Sequence, residues 1–322
     1  MNALVDLNLD YAPVYALYEQ PKLGMLMGAY IVQRNENGRL MLKYQRLLPQ
    51  NADQFAEKLD EADYRLTRLL NDISLQELHR KYAQKKEDLA KFLERLDDNP
   101  NLEKLRTEVQ MNLNNAIPLL QDKNVYWMDK DGYPAGRKID VRQERAQISF
   151  SFQRDEEATY YSAKLHFNNK VLNFYQTEPR VVTNNPTWVV AGDNLLTFEP
   201  SIDGKKLQPF TNKPKVTIPR KHEPQYYSKF LVQLIEQYDV EAKGFDILTY
   251  ESKPRFQLII TRDKLKIYSF ELFAQYGEYR VPLTKEVKKK VHVALNHEED
   301  ADHYTFSRII RDVEKEKEMR DF

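Results

Sequence analysis

The residues best placed for chemistry in this sequence are basic and lie around two prolines. Residues 213–222 read KPKVTIPRKH, and a proline favours an extended conformation in the residue before it. An extended basic segment, here called the strap, can follow a phosphate backbone, whereas most charge runs are simply solvated faces. Its candidate nucleic-acid contacts are Lys213, Lys215, Arg220 and Lys221.

Other residues could enlarge such a surface. Three lysines at 288–290 form a second basic patch, and Tyr226, Tyr227 and Tyr268 could stack on bases. Tyrosines at these spacings are more often half-buried packing residues. The aromatic residues therefore do not predict a base-reading site by themselves.

Two groups of polar residues invite comparison with metal sites. Asp246, Glu251 and Lys253 match the carboxylate, carboxylate-x-lysine pattern of metal-dependent nucleases, and strand alternation would place Glu251 and Lys253 on one face. No second nuclease signature accompanies them. His297 and His303 flank an acidic run, but six residues separate them, unlike the i, i+4 pair of a helical metal site. We predict no catalytic residue, no metal ligand and no cofactor.

Composition excludes several classes of enzyme for this chain. It has no cysteine, which removes thiol nucleophiles and thiolate metal sites, and its nine glycines form no phosphate-binding loop of the Walker or dinucleotide type. Lys+Arg and Asp+Glu both total 49, so no global charge draws the chain onto nucleic acid or a membrane. The N-terminus lacks the positive charge of a signal peptide. We expect a cytoplasmic protein without membrane contact.

The strand and helix patterns around these residues predict an α+β fold with a mostly antiparallel β body. Strand-like runs at 26–33 and 40–47 flank Asn37-Gly38, which is typical of a hairpin turn. Residues 52–117 show helical periodicity, with a heptad-like seam from Phe55 to Ile73 and a helix start at Ser74. We expect these helices to form a projecting unit.

The remainder of the sequence alternates between strand and helix signals. Residues 124–220 read mostly as β, and a helix follows at 224–240, which Gly244 can terminate. A hairpin is predicted at 256–273, and an amphipathic helix from 302 to the chain end. That last helix has no cap, which suggests a piece of a longer protein. The predicted domains are a β-rich body (1–48 and 123–221), a helical insertion (49–122) and a second, smaller α+β portion (222–322).

Two stretches resemble a known family. The phrases that carry the likeness are Pro-Arg-Phe through Tyr-Gly (Pro254 to Gly277) and Arg-Asp-x-Glu-x-Glu (Arg311 to Glu316). Both resemble the region before the motor in bacterial, particularly Bacteroidetes-type, Swi/Snf-type helicases. Over about half of the chain, the resemblance implies an accessory N-terminal region of a DNA-dependent ATPase whose downstream motor supplies ATP binding. Some relatives carry a zinc-binding cysteine/histidine motif at their start, which this cysteine-free chain cannot form.

The predicted function is therefore a non-catalytic accessory module of such a helicase. Its partners would be the downstream motor of the same polypeptide, duplex DNA, or a protein. One alternative is a protein-binding scaffold that pairs through the heptad-like seam at 55–73. Another is a cryptic metal-dependent nuclease.

Overall fold

The chain forms two units in the computed structural model, which describes residues 5–262, 267–283, 290–296 and 303–321. Unit 1 contains Met1–Gln147 and Leu165–Pro214, and unit 2 contains Ile148–Lys164 and Lys215–Phe322. The fold belongs to the α+β class, as predicted, with mixed and antiparallel sheets. The boundaries differ from the sequence-based division, because the helical segment shares unit 1 with strands from both of its sides.

Unit 1 is built on a strand that the sequence patterns did not reveal. Strand β1 (Tyr11–Gln20) pairs antiparallel with β2 (Gly24–Arg34) and parallel with β4 (Val125–Trp127). Successive residues of β1 from Val14 to Leu17 are fully buried, so its sequence shows no alternation of apolar and polar residues. The predicted hairpin is confirmed, since β2 pairs with β3 (Leu40–Arg46).

The helices of unit 1 cover this sheet and do not project from it. Leu66, Leu70, Leu78 and Leu113 are buried in one cluster that also contains Tyr15 of β1. The expected projecting unit is therefore wrong, because its apolar faces complete the core of unit 1. The helical segments are a 3-10 helix (Ala52–Lys58), α1 (Glu61–Asp72), α2 (Leu75–Tyr82), α3 (Leu89–Glu94), a 3-10 turn (Leu96–Asp98), α4 (Leu102–Ala116) and a 3-10 turn (Ile117–Leu120).

Side-chain caps explain where several of these helices begin. Asp60 caps α1 by accepting from the Asp63 backbone N–H at 2.9 Å, and the Asp63 carboxylate accepts in turn from the Asp60 N–H. Ser74 accepts from the Glu77 N–H at 3.2 Å, which confirms the predicted start of α2. Such caps satisfy backbone donors that the first helical turn leaves free.

The rest of unit 1 is a second group of strands. The long strand β5 (Lys138–Arg154) contributes its first half to unit 1, where it pairs with β4 and with the strand at Asn194–Phe198. The Asn185-Pro186 peptide bond, which lies between two of these strands, is cis. The further elements are β6 (Ala158–Phe167), β7 (Lys170–Asn173), a 3-10 turn (Tyr175–Thr177), β8 (Arg180–Asn184), β9 (Thr187–Ala191), β10 (Asn194–Phe198), α5 (Gly204–Leu207) and α6 (Pro209–Asn212).

Unit 2 begins with the second half of β5. A four-stranded arrangement has the order β11 (Val216–Pro219), β6, β5, β12 (Asp239–Lys243). Gly244 follows β12 with φ of +91°, and a Cβ there would lie 2.5 Å from the Arg154 carbonyl oxygen. Gly244 therefore ends strand β12. The prediction that it terminates the preceding helix is wrong. Between β11 and β12 lie a 3-10 turn (Arg220–His222), α7 (Glu223–Tyr226), a π-helical turn (Tyr227–Leu231) and α8 (Val232–Gln237).

Two three-stranded sheets complete unit 2. The predicted helix from 302 is wrong in its first part, because Phe306 and Ile309 lie on a strand at Thr305–Ile310 that is paired on both edges. The predicted hairpin at 256–273 is confirmed. The elements are β13 (Asp246–Tyr250), β14 (Arg255–Arg262), β15 (Tyr268–Tyr276), β16 (Tyr279–Pro282), β17 (Val291–Asn296), β18 (Thr305–Ile310) and α9 (Val313–Asp321).

Candidate nucleic-acid interface

The strap crosses the boundary between the two units. Lys213 follows α6 and is the last cation of unit 1, whereas Lys215 opens unit 2. The strap is extended only through β11, because Arg220 and Lys221 lie in the 3-10 turn that comes next. Lys213, Lys215 and Lys221 are exposed, and Arg220 is half-buried.

Arg220 is held by a buried carboxylate. Its guanidinium lies 3.4 Å from Glu223 Oε2, and its Nε donates to the Glu156 carbonyl oxygen at 3.2 Å. The Glu223 side chain is only 1% exposed. An anion that is removed from water needs a partner of opposite charge. Arg220 therefore fixes the turn after β11, and its charge is already compensated.

Glu223 has further partners within unit 2. Arg154 Nε donates to Glu223 Oε2 at 3.0 Å, and the Thr159 hydroxyl donates to Glu223 Oε1 at 2.6 Å. The Arg154 guanidinium also lies 5.0 Å from the centre of the Tyr304 ring, which is a cation–π distance. Burial raises the pKa of Tyr227, whose hydroxyl lies 2.6 Å from that of Thr159. The cluster anchors the turn that carries Arg220 and Lys221.

Lys215 lies on an open polar face of unit 2. Its Nζ is 3.9 Å from the centre of the Tyr160 ring. A shallow cavity of about 240 Å³ adjoins this pair, and its lining is largely polar. The lining residues are Ser151, Gln153, Asp155, Tyr160, Tyr161, Ser162 and Lys215.

The same face continues across the neighbouring strands. In the register of β12 with β5, Glu241 is opposite Ser151 and Lys243 is opposite Gln153. Lys164 of β6 forms an ion pair with Glu241, which compensates one of the lysines. Lys215 and Lys243 are the exposed cations of this face, and short serine side chains lie between them. The arrangement can offer ammonium and hydroxyl donors to an anionic ligand.

Asp155 at the edge of this face keeps its negative charge. Backbone N–H groups of Ala158 and Glu157 donate to its carboxylate, and together with nearby Lys215 they lower the pKa of Asp155. A phosphate approaching Lys215 would therefore meet this carboxylate on one side. The face therefore offers hydrogen-bond donors, whereas the Tyr160 ring is already covered by the Lys215 side chain.

The residues of the nuclease pattern do not converge. Glu251 and Lys253 lie in the connection between β13 and β14, so strand alternation does not apply to them. Asp246 Oδ2 lies 2.8 Å from His303 Nε2 and accepts a hydrogen bond in the tautomer that carries the proton on Nε2. His297 lies outside the described residues. Within the described ranges, no three acidic or histidine side chains are grouped so that they could hold a metal ion.

The other aromatic and basic candidates are separated. Tyr227 is fully buried, Tyr226 is half-buried, and Tyr268 is exposed on β15. Of the lysine patch, Lys290 is described and lies just before β17, whereas 288 and 289 are outside the described residues. The structure therefore does not bring these tyrosines together as one stacking platform.

Sequence reasoning missed a network that joins the two family phrases. The Tyr276 hydroxyl donates to Glu316 Oε1 at 2.6 Å, and Arg311 Nε donates to the same carboxylate at 3.0 Å. The Asp312 backbone N–H donates to the Tyr276 hydroxyl at 2.8 Å. Glu316 is fully buried. The only sequence signal was an arginine five residues before a glutamate, and it did not indicate the tyrosine.

Helix length bears on membrane contact. Among the helices of the described residues, none is long and apolar enough to span a bilayer.

Comparison with known proteins supports the resemblance. Residues 107–322, two thirds of the chain, match the family described as bacterial SNF2 helicase associated. Searches of curated proteins and of solved structures found no match. The matched region includes both phrases that meet at Tyr276 and Glu316. The chain belongs to the bacterial SNF2 helicase associated family.

Proposed function

We propose that this chain is a non-catalytic accessory module of a Swi/Snf-type helicase and that it contacts duplex DNA through the strap. The family supports an association with a helicase module in the same polypeptide. In this proposal ATP binding and translocation belong to that helicase module, which works in the cytoplasm. The accessory module contributes DNA contacts or regulates the motor.

The observation that carries the DNA contact is the exposed Lys215 on the polar face of β11, β6, β5 and β12. Lys221 lies six residues further along the chain, on a turn that buried Glu223 holds in place. Lys213 precedes Lys215 by two residues, which is at most about 7 Å of extended chain. These three lysines are the proposed phosphate contacts, and Arg220 is a positioning residue.

The buried environment of Arg220 determines which variant tests the proposal. Reversing Arg220 would place a second carboxylate beside Glu223 and destabilise the turn. The informative variant is therefore Lys213→Glu, Lys215→Glu and Lys221→Glu, with Arg220 retained. Exposed charges contribute little to stability, so this variant should unfold at nearly the same temperature as the natural chain.

Binding to a duplex of arbitrary sequence should depend on salt. Three neutralised phosphates give a slope of about −2.7 in log K against log salt, or a loss of about 40-fold between 50 and 200 mM. The triple variant should lose detectable binding at low salt. Fluorescence anisotropy with a labelled duplex measures both quantities.

A matched control separates a local patch from a change in net charge. Lys43, Lys85 and Lys130 are exposed lysines of unit 1, and reversing all three changes the net charge equally. The control should bind DNA nearly as well as the natural chain. If the strap variant also binds normally, the strap is only a solvated face, and the proposed DNA contact is wrong.

The alternative of a protein-binding scaffold was based on the heptad-like seam at 55–73, which is not accessible to a partner. Phe55, Leu66 and Ile73 of the heptad-like seam are buried in the core of unit 1. A partner helix could reach them only if unit 1 opened. Protein contact must therefore use another surface.

A further inference from the structure

The ribbon formed by β14 and β15 exposes a row of large apolar side chains. Leu258, Ile260, Tyr268 and Phe270 are each between 55% and 65% exposed. Isolated exposed apolar residues are common on protein surfaces, but a contiguous group usually marks an interaction site.

These side chains share one face of the ribbon. Ile260 is paired with Phe270, and Leu258 is paired with Leu272, in the antiparallel register. Paired residues, and residues two apart on one strand, lie on the same side of a sheet. The four exposed side chains therefore form one surface, which we call the ribbon face.

The ribbon face continues from the core of unit 2. At the base of the ribbon the same side carries Phe256 and Ala274, which pack with Tyr276 and Ile309. This packing fixes the base of the ribbon. The apolar surface then extends past the packed part of the sheet into solvent.

The size of the ribbon face helps to decide what covers it. Its four side chains expose on the order of 400 Å² of apolar surface. A stable complex of two separate chains buries about 800 Å² on each partner. Interfaces between domains of one chain are smaller, at about 300–750 Å² for each side. Because about 57% of an interface is apolar, the ribbon face corresponds to about 700 Å² of total interface on this side, which lies within the range for domains of one chain and below the typical value for separate chains.

The surrounding charges argue against DNA at this position. On the described strands β14 and β15, Arg262 is the one charged residue on the side of the ribbon face, because Arg255 and Glu271 alternate to the opposite side. A phosphate backbone requires several cations, which this face lacks, whereas the centre of an interface between proteins is depleted of charged residues. The Arg262 guanidinium also lies 5.4 Å from the centre of the Tyr268 ring, so this cation already has an aromatic partner at the end of the ribbon.

We propose that the ribbon face docks on an apolar patch of the helicase module in the same polypeptide. The inference rests on the accessory role proposed above, but it does not depend on DNA contact by the strap. Phe270 and Ile260 are the central contacts.

A photo-crosslinking experiment tests this docking in the polypeptide that contains both this chain and the helicase module. Phe270→p-benzoylphenylalanine should crosslink to peptides of the helicase module, as identified by mass spectrometry. The matched control places the same group at Val171 of unit 1, which is 59% exposed, and should give at least tenfold fewer such crosslinks. Crosslinks from position 270 to a second copy or to added DNA, or no crosslinks at all, would overturn the proposal.

A second variant separates loss of docking from any effect of p-benzoylphenylalanine at position 270, which is itself a proposed contact. With p-benzoylphenylalanine at Tyr268, the added change Ile260→Asp should reduce crosslinks to the helicase module at least tenfold, whereas Leu42→Asp should not. Unchanged crosslinking in the Ile260→Asp variant would also overturn the proposal. DNA binding by the strap is measured separately, so docking can fail while the proposed DNA contact stands.

Discussion

The hydroxyl of Tyr276 donates a 2.6 Å hydrogen bond to Glu316, forty residues further along the chain. The bond connects β15 with α9 and lies where the two family phrases meet. Glu316 is fully buried and is neutralised by Arg311. The helix and the base of the ribbon are therefore fixed to each other by one carboxylate.

Removing Arg311 should destabilise this part of unit 2 strongly. Arg311→Met leaves the buried Glu316 charge without its cation, at a cost of about 3–5 kcal/mol. Tyr276→Phe removes the hydrogen bond to the Glu316 carboxylate, at about 1.5–3 kcal/mol, together with the one accepted from the Asp312 N–H. Amide hydrogen exchange of β15 and β18 measures both changes. Adding Glu316→Gln to Arg311→Met should recover part of the loss.

The exposed Lys317 on the same helix is the matched control for Arg311. Lys317→Met should change stability by less than about 0.5 kcal/mol. If the amides of β15 and β18 exchange as slowly in the Arg311→Met variant as in the natural chain, the network does not hold the helix.

The charge of Asp60 should stabilise unit 1 in a pH-dependent way. A 2.6 Å hydrogen bond from Lys123 and one from the Asp63 backbone N–H lower the pKa of Asp60. A carboxyl whose pKa is lower in the folded state stabilises above its unfolded value of about 3.9, and this is lost as the pH falls through the folded value. Because Asp60 is well exposed, we expect less than about 1 kcal/mol at pH 7.

Asp60→Asn isolates this charge, because asparagine caps a helix about as well as aspartate. The variant should be less stable than the natural chain at pH 7, and this difference should be smaller at pH 3. Both tryptophans, Trp127 and Trp188, lie in unit 1, so urea unfolding followed by tryptophan fluorescence measures the difference. The control Glu57→Gln removes an exposed carboxylate and should change stability by less than about 0.5 kcal/mol. An equal loss for Asp60→Asn at both pH values would contradict the assignment to charge.

The helices over β1 and β2 should be indispensable to unit 1. Leu113 of α4 is fully buried in the core, and Leu113→Ala should cost about 2–5 kcal/mol. Met111 on the same helix is 57% exposed, and Met111→Ala should cost far less. Deleting 52–117 should abolish cooperative unfolding of unit 1, as followed by tryptophan fluorescence. A cooperative transition in the deletion variant would show that the strands fold without their helical layer.

The chain alone should not bind nucleotide. No glycine-rich loop of the sequence can cradle a triphosphate. Isothermal titration with Mg-ATP should give no heat of binding, and micromolar affinity would refute the prediction. The polypeptide that includes the helicase module is the positive control.

Features that depend on neighbouring residues could be read from the sequence. The β2–β3 hairpin follows from Asn37-Gly38, and the start of α2 follows from Ser74, because a turn or a cap is decided by a few adjacent residues. The composition likewise excluded thiol chemistry and phosphate-binding loops. The strap was found as a basic segment, but its sequence does not show that Arg220 is already paired with Glu223.

Pairing between distant residues was decided only by the tertiary structure. β1 pairs with β4, which lies more than one hundred residues further along the chain. Phe306 lies on a strand because β18 pairs with β13 on one edge and with β17 on the other. Both choices depend on burial that a local pattern does not contain, since a fully buried strand and a helix can have similar apolar runs. The meeting of Tyr276 with Glu316 depends in the same way on how the β14–β16 sheet packs against β18. Its physical reason is that a buried carboxylate is stable only where a separate part of the chain brings it a cation and a hydrogen-bond donor.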